Sequence, residues 1–93
     1  MDIFRTKYGS KVKYLNKNGY DSDRSFANKY LKEGEEYTVR LIEIGMWSSE
    51  VYLEEVSGVG GFNTVMFENV DPLVEKGDYT SMYVKFEGLR NNG

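Results

Sequence analysis

The spacing of apolar side chains along the chain predicts a series of short β-strands. Residues 10–15 (SKVKYL) alternate between apolar and polar positions, which is typical of a half-buried strand. The clearest strand covers 36–44 (EYTVRLIEI), where Tyr37, Val39 and Leu41 alternate with polar residues. After Leu41 the apolar phase shifts by one residue, which favours a β-bulge or a sharp bend in this strand.

Three further strands are predicted later in the chain, separated by turn-forming residues. They cover 50–56 (EVYLEEV), 62–67 (FNTVMF) and 81–86 (SMYVKF). In the second of these, strict alternation places Val65 and Phe67 on one face and three other residues on the opposite face. Those three are Phe62, Thr64 and Met66. Pro72 follows this strand and cannot donate to a β-ladder, so we expect the strand to end before it.

A short helix is predicted in the long segment between the first two strands. Residues 21–34 (DSDRSFANKYLKEG) carry apolar side chains at helical spacing. The stripe consists of Phe26, Ala27, Tyr30 and Leu31. Asp21, Ser22 or Asp23 can cap the start of this helix, and Gly34 is placed to end it.

The order of these elements predicts a single domain over residues 1–93, with residues 89–93 as a frayed tail. Three of the strands follow one another through short connections and form a meander. Five short strands that close on themselves make a small barrel, which removes the exposed edges of an isolated meander.

A run in the middle of the chain, from residue 33 to residue 70, forms a recognisable pattern. A GxxYxV strand leads to a connection that bears a tryptophan, and then to a strand of the form FNTVxFE. The matching residues are Gly34, Tyr37, Val39, Trp47, Phe62, Asn63, Thr64, Val65, Phe67 and Glu68. This run resembles the central meander of small SH3-like barrel proteins of bacteriophages and prophages. The resemblance implies a phage-like origin and a mainly β fold: a five-stranded SH3-like barrel with a short helix in the long first loop.

The composition argues against an enzyme. The chain contains no histidine and no cysteine, so it has no imidazole base, no thiol nucleophile and no zinc site of the usual ligands. Glu54 and Glu55 are neighbours on a predicted strand and should point to opposite faces, which excludes them as an acid–base pair. We expect no catalytic residues, no metal and no cofactor.

The N-terminal residues and the overall hydropathy predict a location in the cytoplasm of a bacterial host cell. Met1–Arg5 lacks the charged start and apolar run of a signal peptide. No stretch approaches the roughly 20 apolar residues that span a bilayer, so we expect no membrane contact. The absence of cysteine suits a reducing compartment.

The charges are distributed unevenly around a net charge of −3. Residues 1–32 carry eight basic and three acidic side chains, whereas residues 33–93 carry four basic and twelve acidic ones. Such asymmetry indicates either an electrostatic binding face or two halves that neutralise each other across the folded surface.

Trp47 is the most informative single residue for function. It lies in a connection beside Gly45, Ser48 and Ser49, outside any alternating core pattern. An aromatic side chain at a barrel rim can stack on a ligand or anchor a partner protein. The alternative is that Trp47 folds back as a lid on the end of the barrel.

A second candidate surface is the strand face that carries Phe62, with Tyr52 on the neighbouring strand. This face is either an open apolar patch or is covered by Phe26 and Tyr30 of the predicted helix. Asn63, between apolar neighbours, either fixes a turn or contacts a ligand.

These features and the phage-like resemblance predict a small non-catalytic binding module, encoded by a phage or mobile element, that blocks a host protein or sequesters a ligand. An acidic face of Glu50, Glu54 and Glu55 could imitate nucleic acid and inhibit a host defence protein, and a host or phage protein is the expected partner.

Two other hypotheses remain open at the level of sequence. A nucleic-acid-binding barrel would use basic residues of the first third, such as Lys11 and Lys13. A nucleotide or signalling-molecule trap would stack a base on Trp47 and Phe62 and hold a phosphate with Arg40 or Arg24. The sequence is also compatible with a homo-oligomer.

Overall fold

A computed structural model describes residues 1–74 and 84–86 of the chain. Its regular elements are β1 (Lys11–Tyr14), α1 (Asp21–Ala27), β2 (Glu36–Ile44), β3 (Ser49–Leu53), β4 (Phe62–Asn63), β5 (Phe67–Asn69) and β6 (Val84–Phe86). A first 3-10 turn (Glu54–Val56) follows β3, and a second 3-10 turn (Thr64–Met66) joins β4 to β5. The predicted mainly β class with a short helix is therefore confirmed.

Five of the strands form an antiparallel sheet in the order β4-β3-β2-β1-β5, and β6 pairs with β2 in parallel. The first half of β2 pairs with β1, and its second half pairs with β3. Its register shifts between Val39 and Leu41, as the change of apolar phase predicts. No pairing of β4 with β5 closes the sheet within the described residues, so the architecture is an open sheet.

The core lies on one face of this sheet and is rich in aromatic rings. Tyr14 and Phe67 lie 5.6 Å apart by ring centroids, and Phe62 and Phe67 lie 6.5 Å apart. The buried apolar residues of the sheet follow the alternation of β1, β2 and β3: Val12, Tyr14, Val39, Ile42, Val51 and Leu53. Strand alternation therefore builds most of this core.

The helix α1 is shorter than the sequence predicts. It ends at Ala27, and the chain continues in a tighter turn in which the Lys29 N–H donates to the Phe26 carbonyl, three residues back rather than four. Gly34 has φ of +86° and therefore belongs to a later turn, before β2. At the other end the cap position is Tyr20, whose N–H donates to the Asp23 carboxylate.

The predicted strand 50–56 ends early, at Leu53, and Glu54 and Glu55 lie in the first 3-10 turn. The Glu55 carboxylate accepts hydrogen bonds from the Thr38 N–H at 2.8 Å and the Thr38 hydroxyl at 2.6 Å. This side chain satisfies a donor of β2 beyond the end of β3, so the backbone is not required to continue the ladder. The prediction that the two glutamates sit on opposite faces of a strand was wrong.

The predicted strand 62–67 is also interrupted, by the second 3-10 turn. A 3-10 turn repeats every three residues, so it breaks the two-residue period on which the face assignment was based. Phe62 and Phe67 consequently both point into the core, whereas Val65 is exposed. Thr64 and Met66 are buried as well, so the predicted separation of Phe62, Thr64 and Met66 from Val65 is seen, and the assignment of faces was wrong only for Phe67.

The end of the chain is covered only in part. Val84–Phe86 confirms the second half of the predicted strand 81–86. Residues 81–83 and the predicted tail 89–93 lie outside the described residues. No helix within residues 1–74 or 84–86 is long and apolar enough to cross a membrane.

Candidate functional site

An open groove of about 530 Å³ lies where three loops meet. One wall is the β2–β3 connection, the second is the segment before α1, and the third is the second 3-10 turn with the end of β4. We call it the Trp47 groove, and its lining residues are Asn18, Gly19, Tyr20, Trp47, Ser48, Ser49, Asn63, Thr64 and Val65. Each wall contributes an exposed apolar side chain, so the groove offers a ligand both apolar contact and polar groups.

Trp47 projects from the tip of the β2–β3 connection and is 92% exposed. The alternative in which it folds back as a lid is therefore wrong. The connection is tight, because the Gly45 N–H donates to the Ser48 carbonyl at 3.0 Å. A Cβ atom at Gly45 would lie 2.7 Å from the Ser48 carbonyl oxygen, so this turn requires glycine. The backbone itself thus holds the indole out into solvent.

Other large apolar side chains around Trp47 are exposed as well. Met46 is 85% exposed, Tyr20 across the groove is 77% exposed, and Val65 is 46% exposed. The hydrophobic pattern of the sequence does not single out Met46. Their common location is a consequence of the fold, since Tyr20 and Trp47 are far apart in the sequence.

Asn63 fixes the second 3-10 turn and ties it to α1. Its side-chain carbonyl accepts from the Val65 N–H at 3.2 Å, and its amide donates to the Asp23 carboxylate at 3.0 Å. The same Asp23 carboxylate accepts from the Tyr20 N–H at 3.1 Å. One aspartate therefore joins two walls of the Trp47 groove, and the turn-fixing role predicted for Asn63 is confirmed.

Arg24 and Phe62 support the groove from behind. The Arg24 guanidinium donates to the Gly19 carbonyl at 2.9 Å and forms an ion pair with Asp21, which braces the segment before α1. Phe62 is 1% exposed and lies 5.4 Å from the Phe26 ring. The Phe26 ring of the helix covers Phe62, as one of the two alternatives predicts. Phe62 is therefore not placed to stack on a base, which corrects the nucleotide-trap arrangement. Tyr52 does not share a face with Phe62, because Phe62 is in register with Val51 and Tyr52 points to the opposite side of β3, so that part of the prediction was wrong.

A second cavity, of about 230 Å³, lies on the other side of Trp47. We call it the Glu43–Glu50 pocket, and it is lined by Glu43, Gly45, Met46, Trp47, Ser48 and Glu50. Glu43 and Glu50 are direct cross-strand partners of β2 and β3. Trp47 and Ser48 line both cavities, so the pocket and the groove are contiguous.

Tyr52 lies next to the two carboxylates that line this pocket, and they affect its pKa. Its hydroxyl donates to the Glu43 carboxylate at 3.0 Å. Burial of the phenol, together with the adjacent carboxylates of Glu43 and Glu50, raises the pKa of Tyr52 to about 12. Arg40 stacks on the Tyr52 ring, with its guanidinium carbon 5.6 Å from the ring centroid. The hydroxyl thus stays protonated and keeps its hydrogen bond at physiological pH.

The structure divides the predicted acidic face of Glu50, Glu54 and Glu55. Glu50 lies with Glu43 beside Trp47, whereas Glu55 is bonded to Thr38 and lies 3.8 Å from the Lys11 ammonium. Glu54 is exposed in the first 3-10 turn. Glu43 was not predicted to lie beside Glu50, because only the register of the β2–β3 hairpin brings the two together. Across the described ranges, no group of acidic residues is arranged to hold a metal ion.

A family model described as Bacteriophage T4 protein Y07B matches residues 7–87. No curated protein and no solved structure matches the chain. The match covers most of the chain, including every residue of the Trp47 groove and the Glu43–Glu50 pocket.

Proposed function

The chain belongs to the bacteriophage T4 protein Y07B family, and on this premise we propose that it is a non-catalytic binding module. In this proposal it acts in the cytoplasm of the bacterial host and occupies a surface on a host protein through the Trp47 groove. The observation that carries the proposal is the 92% exposure of Trp47 at the tip of a tight turn.

The energetic argument is that Trp47 contributes almost nothing to its own fold. An indole that stays in water gains no burial energy, whereas the same indole buried by a partner stabilises the complex by about 2 kcal/mol or more. Tyr20 and Val65 surround the groove with further exposed apolar surface. Ser48 and Ser49 add polar groups to the lining of the groove, where a docked segment could bond to them.

We further propose that the sheet is curled into an SH3-like barrel. The outermost strands, β4 and β5, are joined only by the three residues Thr64–Met66. Four Cα–Cα steps span at most ~15 Å. In a flat sheet of five strands the outer pair would be ~19 Å apart. This mismatch, and the register shift in the middle of β2, support a strongly curved sheet.

The proposal predicts that a host protein is captured in a Trp47-dependent manner. The purified protein is immobilised, incubated with host lysate, and its retained partners are quantified by mass spectrometry. We expect one protein at fixed stoichiometry with the wild type and at least about tenfold less with Trp47→Ala, because truncating an interface tryptophan typically costs 2 kcal/mol or more. Tyr20→Ala should reduce capture as well.

Phe4→Ala is the matched control, since Phe4 is an exposed aromatic residue that lines neither cavity. Trp47→Ala should leave the free energy of unfolding unchanged within about 0.5 kcal/mol, because the side chain is exposed. A partner retained equally by Trp47→Ala and the wild type would contradict the proposal.

A further inference from the structure

We infer that Asn18 is a site of spontaneous chemical modification. Its side-chain amide is lost by attack of the Gly19 backbone nitrogen, and the product alters one wall of the Trp47 groove. Asn18 and Gly19 both line this groove, in the segment before α1. The inference goes beyond the proposed function and does not depend on it, since the reaction requires no partner.

The reaction needs only these two residues and water. The Gly19 nitrogen gives up its proton and forms a bond to the side-chain carbonyl carbon of Asn18. The bond from that carbon to the side-chain nitrogen breaks, ammonia leaves with the proton, and a cyclic succinimide remains. Water then opens the ring. Attack at the side-chain carbonyl gives aspartate, whereas attack at the main-chain carbonyl gives isoaspartate, in which the chain runs through the former side chain.

Neither reacting group is restrained by a hydrogen bond. Asn18 is exposed, and its side chain makes no hydrogen bond to any described residue. The Gly19 N–H donates to none of them either. The ring closes by rotation about bonds of Asn18, which lies in no helix or strand, so closure breaks no regular backbone pairing. Glycine after asparagine also favours the reaction, because no side chain shields the attacking nitrogen.

Asn16 provides a contrast within the same loop. It also has a positive φ, of +57°. Its side-chain oxygen, however, accepts from the Asn28 amide at 3.0 Å, and its own amide donates to Glu33 at 3.3 Å. The residue that follows is Lys17, whose side chain shields the backbone nitrogen. We therefore expect Asn16 to stay intact where Asn18 reacts.

The isoaspartate product should displace the wall that Tyr20 forms. Gly19 is closely packed, since a Cβ atom there would lie 3.0 Å from the Met66 Cγ and 3.1 Å from the Asp23 Cβ. Its carbonyl accepts from the Arg24 guanidinium at 2.9 Å. Isoaspartate inserts an extra carbon into the main chain directly before this packed residue. The aspartate product keeps the backbone as it is and adds only a negative charge.

The test measures deamidation of each asparagine in the native protein during incubation near neutral pH. Samples are digested with trypsin, and the peptides are quantified by mass spectrometry. Trypsin cleaves after lysine and arginine, so Asn18 is the only asparagine in the peptide 18–24 (NGYDSDR), and Asn16 is the only one in the peptide 14–17 (YLNK). The other Asn–Gly pair of the sequence, Asn92–Gly93, belongs to a separate peptide and does not interfere.

We expect the peptide 18–24 to gain the mass of an NH₂-to-OH exchange progressively, and the peptide 14–17 to stay unchanged. The rate at Asn18 in the native protein should lie within about threefold of its rate in guanidinium chloride, because unbonded loop residues open at almost no free-energy cost. Asn16 should react at least about tenfold more slowly in the native protein than when unfolded, because its hydrogen bonds must break first.

Two variants separate the consequences of the reaction. Asn18→Gly cannot react, and it suits the backbone, because Asn18 has φ of +76°. Asn18→Asp supplies the new charge without the extra main-chain carbon, and aspartate also tolerates this conformation. Ion-exchange chromatography with peptide mapping identifies the wild-type fraction that carries isoaspartate. Its urea midpoint should fall below that of freshly prepared Asn18→Asp, whose midpoint should stay close to the wild type.

The first two of three outcomes would overturn the modification site itself. They are a native protein in which the peptide 18–24 stays unmodified while the unfolded chain reacts, and equal native rates at Asn16 and Asn18. The third is an isoaspartate form with the same urea midpoint as Asn18→Asp, which would overturn the displacement of the Tyr20 wall.

Discussion

Gly61 is a position where a single methyl group should disturb the wall of the Glu43–Glu50 pocket. A Cβ atom there would lie 2.8 Å from the Glu50 Cβ and 3.0 Å from the Tyr52 ring. The Glu50 Cβ is fixed to the backbone of β3 and cannot rotate away, so the β3–β4 pairing itself would have to shift.

We therefore expect Gly61→Ala to lower the free energy of unfolding by about 1–3 kcal/mol. Urea denaturation measures this change, and Ser57→Ala, at an exposed position in the same connection, serves as the control. The two variants should differ clearly in midpoint, and equal midpoints would show that the hairpin absorbs the methyl group.

Glu55 should make stability depend on pH in the acidic range. Burial raises its pKa, but the hydrogen bonds from Thr38 and the nearby Lys11 ammonium outweigh burial, and the net pKa is lowered. A lowered pKa means that the carboxylate stabilises the folded state above about pH 4.5 and loses this effect as the pH falls through the folded-state pKa.

The stability difference between the wild type and Glu55→Gln should therefore be largest near neutral pH and shrink towards pH 3. We expect a difference below about 1 kcal/mol, because the side chain is partly exposed. Urea midpoints at a series of pH values give the result. Glu54→Gln is the control and should show a flat difference, and a Glu55→Gln difference that grows on acidification would contradict the assignment.

At the level of elements, Asn63 couples the second 3-10 turn to α1. We expect Asn63→Ala to cost about 1 kcal/mol, the usual loss for a capping side chain. A double-mutant cycle with Asp23→Ala isolates the hydrogen bond between the two side chains. Additive effects would mean that the turn and the helix are stabilised independently.

The sequence predicts best those strands in which apolar and polar residues alternate over several consecutive positions. The alternation in residues 10–15 and 36–44 gave β1 and β2, and the phase shift after Leu41 gave the bulge. The two 3-10 turns were missed because each is only three residues long and carries no period of its own. Residues in such turns change face without a signal in the hydrophobic pattern.

For the candidate site, the sequence identified residues but not their neighbours. Trp47 and Asn63 stood out because each interrupts a local pattern. Glu43 and Tyr20 did not, because their importance depends on hairpin register and on a contact between distant loops. Arrangements of this kind follow from tertiary structure and have no local cause in the chain.

At the scale of the whole molecule, folding brings a basic residue of the first third next to an acidic residue of the remainder. Lys11 of β1 donates to Thr38 and lies near Glu55, which links the basic first third to the acidic remainder. The acidic pair Glu43 and Glu50 lies elsewhere, on the β2–β3 hairpin. Neutralisation between the two halves is therefore seen at Lys11 and Glu55, whereas an electrostatic binding face stays a prediction.

The central position of β1 has a consequence for how the chain folds. β1 pairs with β2 and with β5, and its second partnership joins Val12 to Asn69. Contacts of such high sequence separation give a high contact order, for which folding times of milliseconds to seconds are typical. During synthesis, β1 and β2 can pair early, but one edge of β1 stays open until residue 69 has left the ribosome. A nascent chain stalled before that point would expose this edge to aggregation.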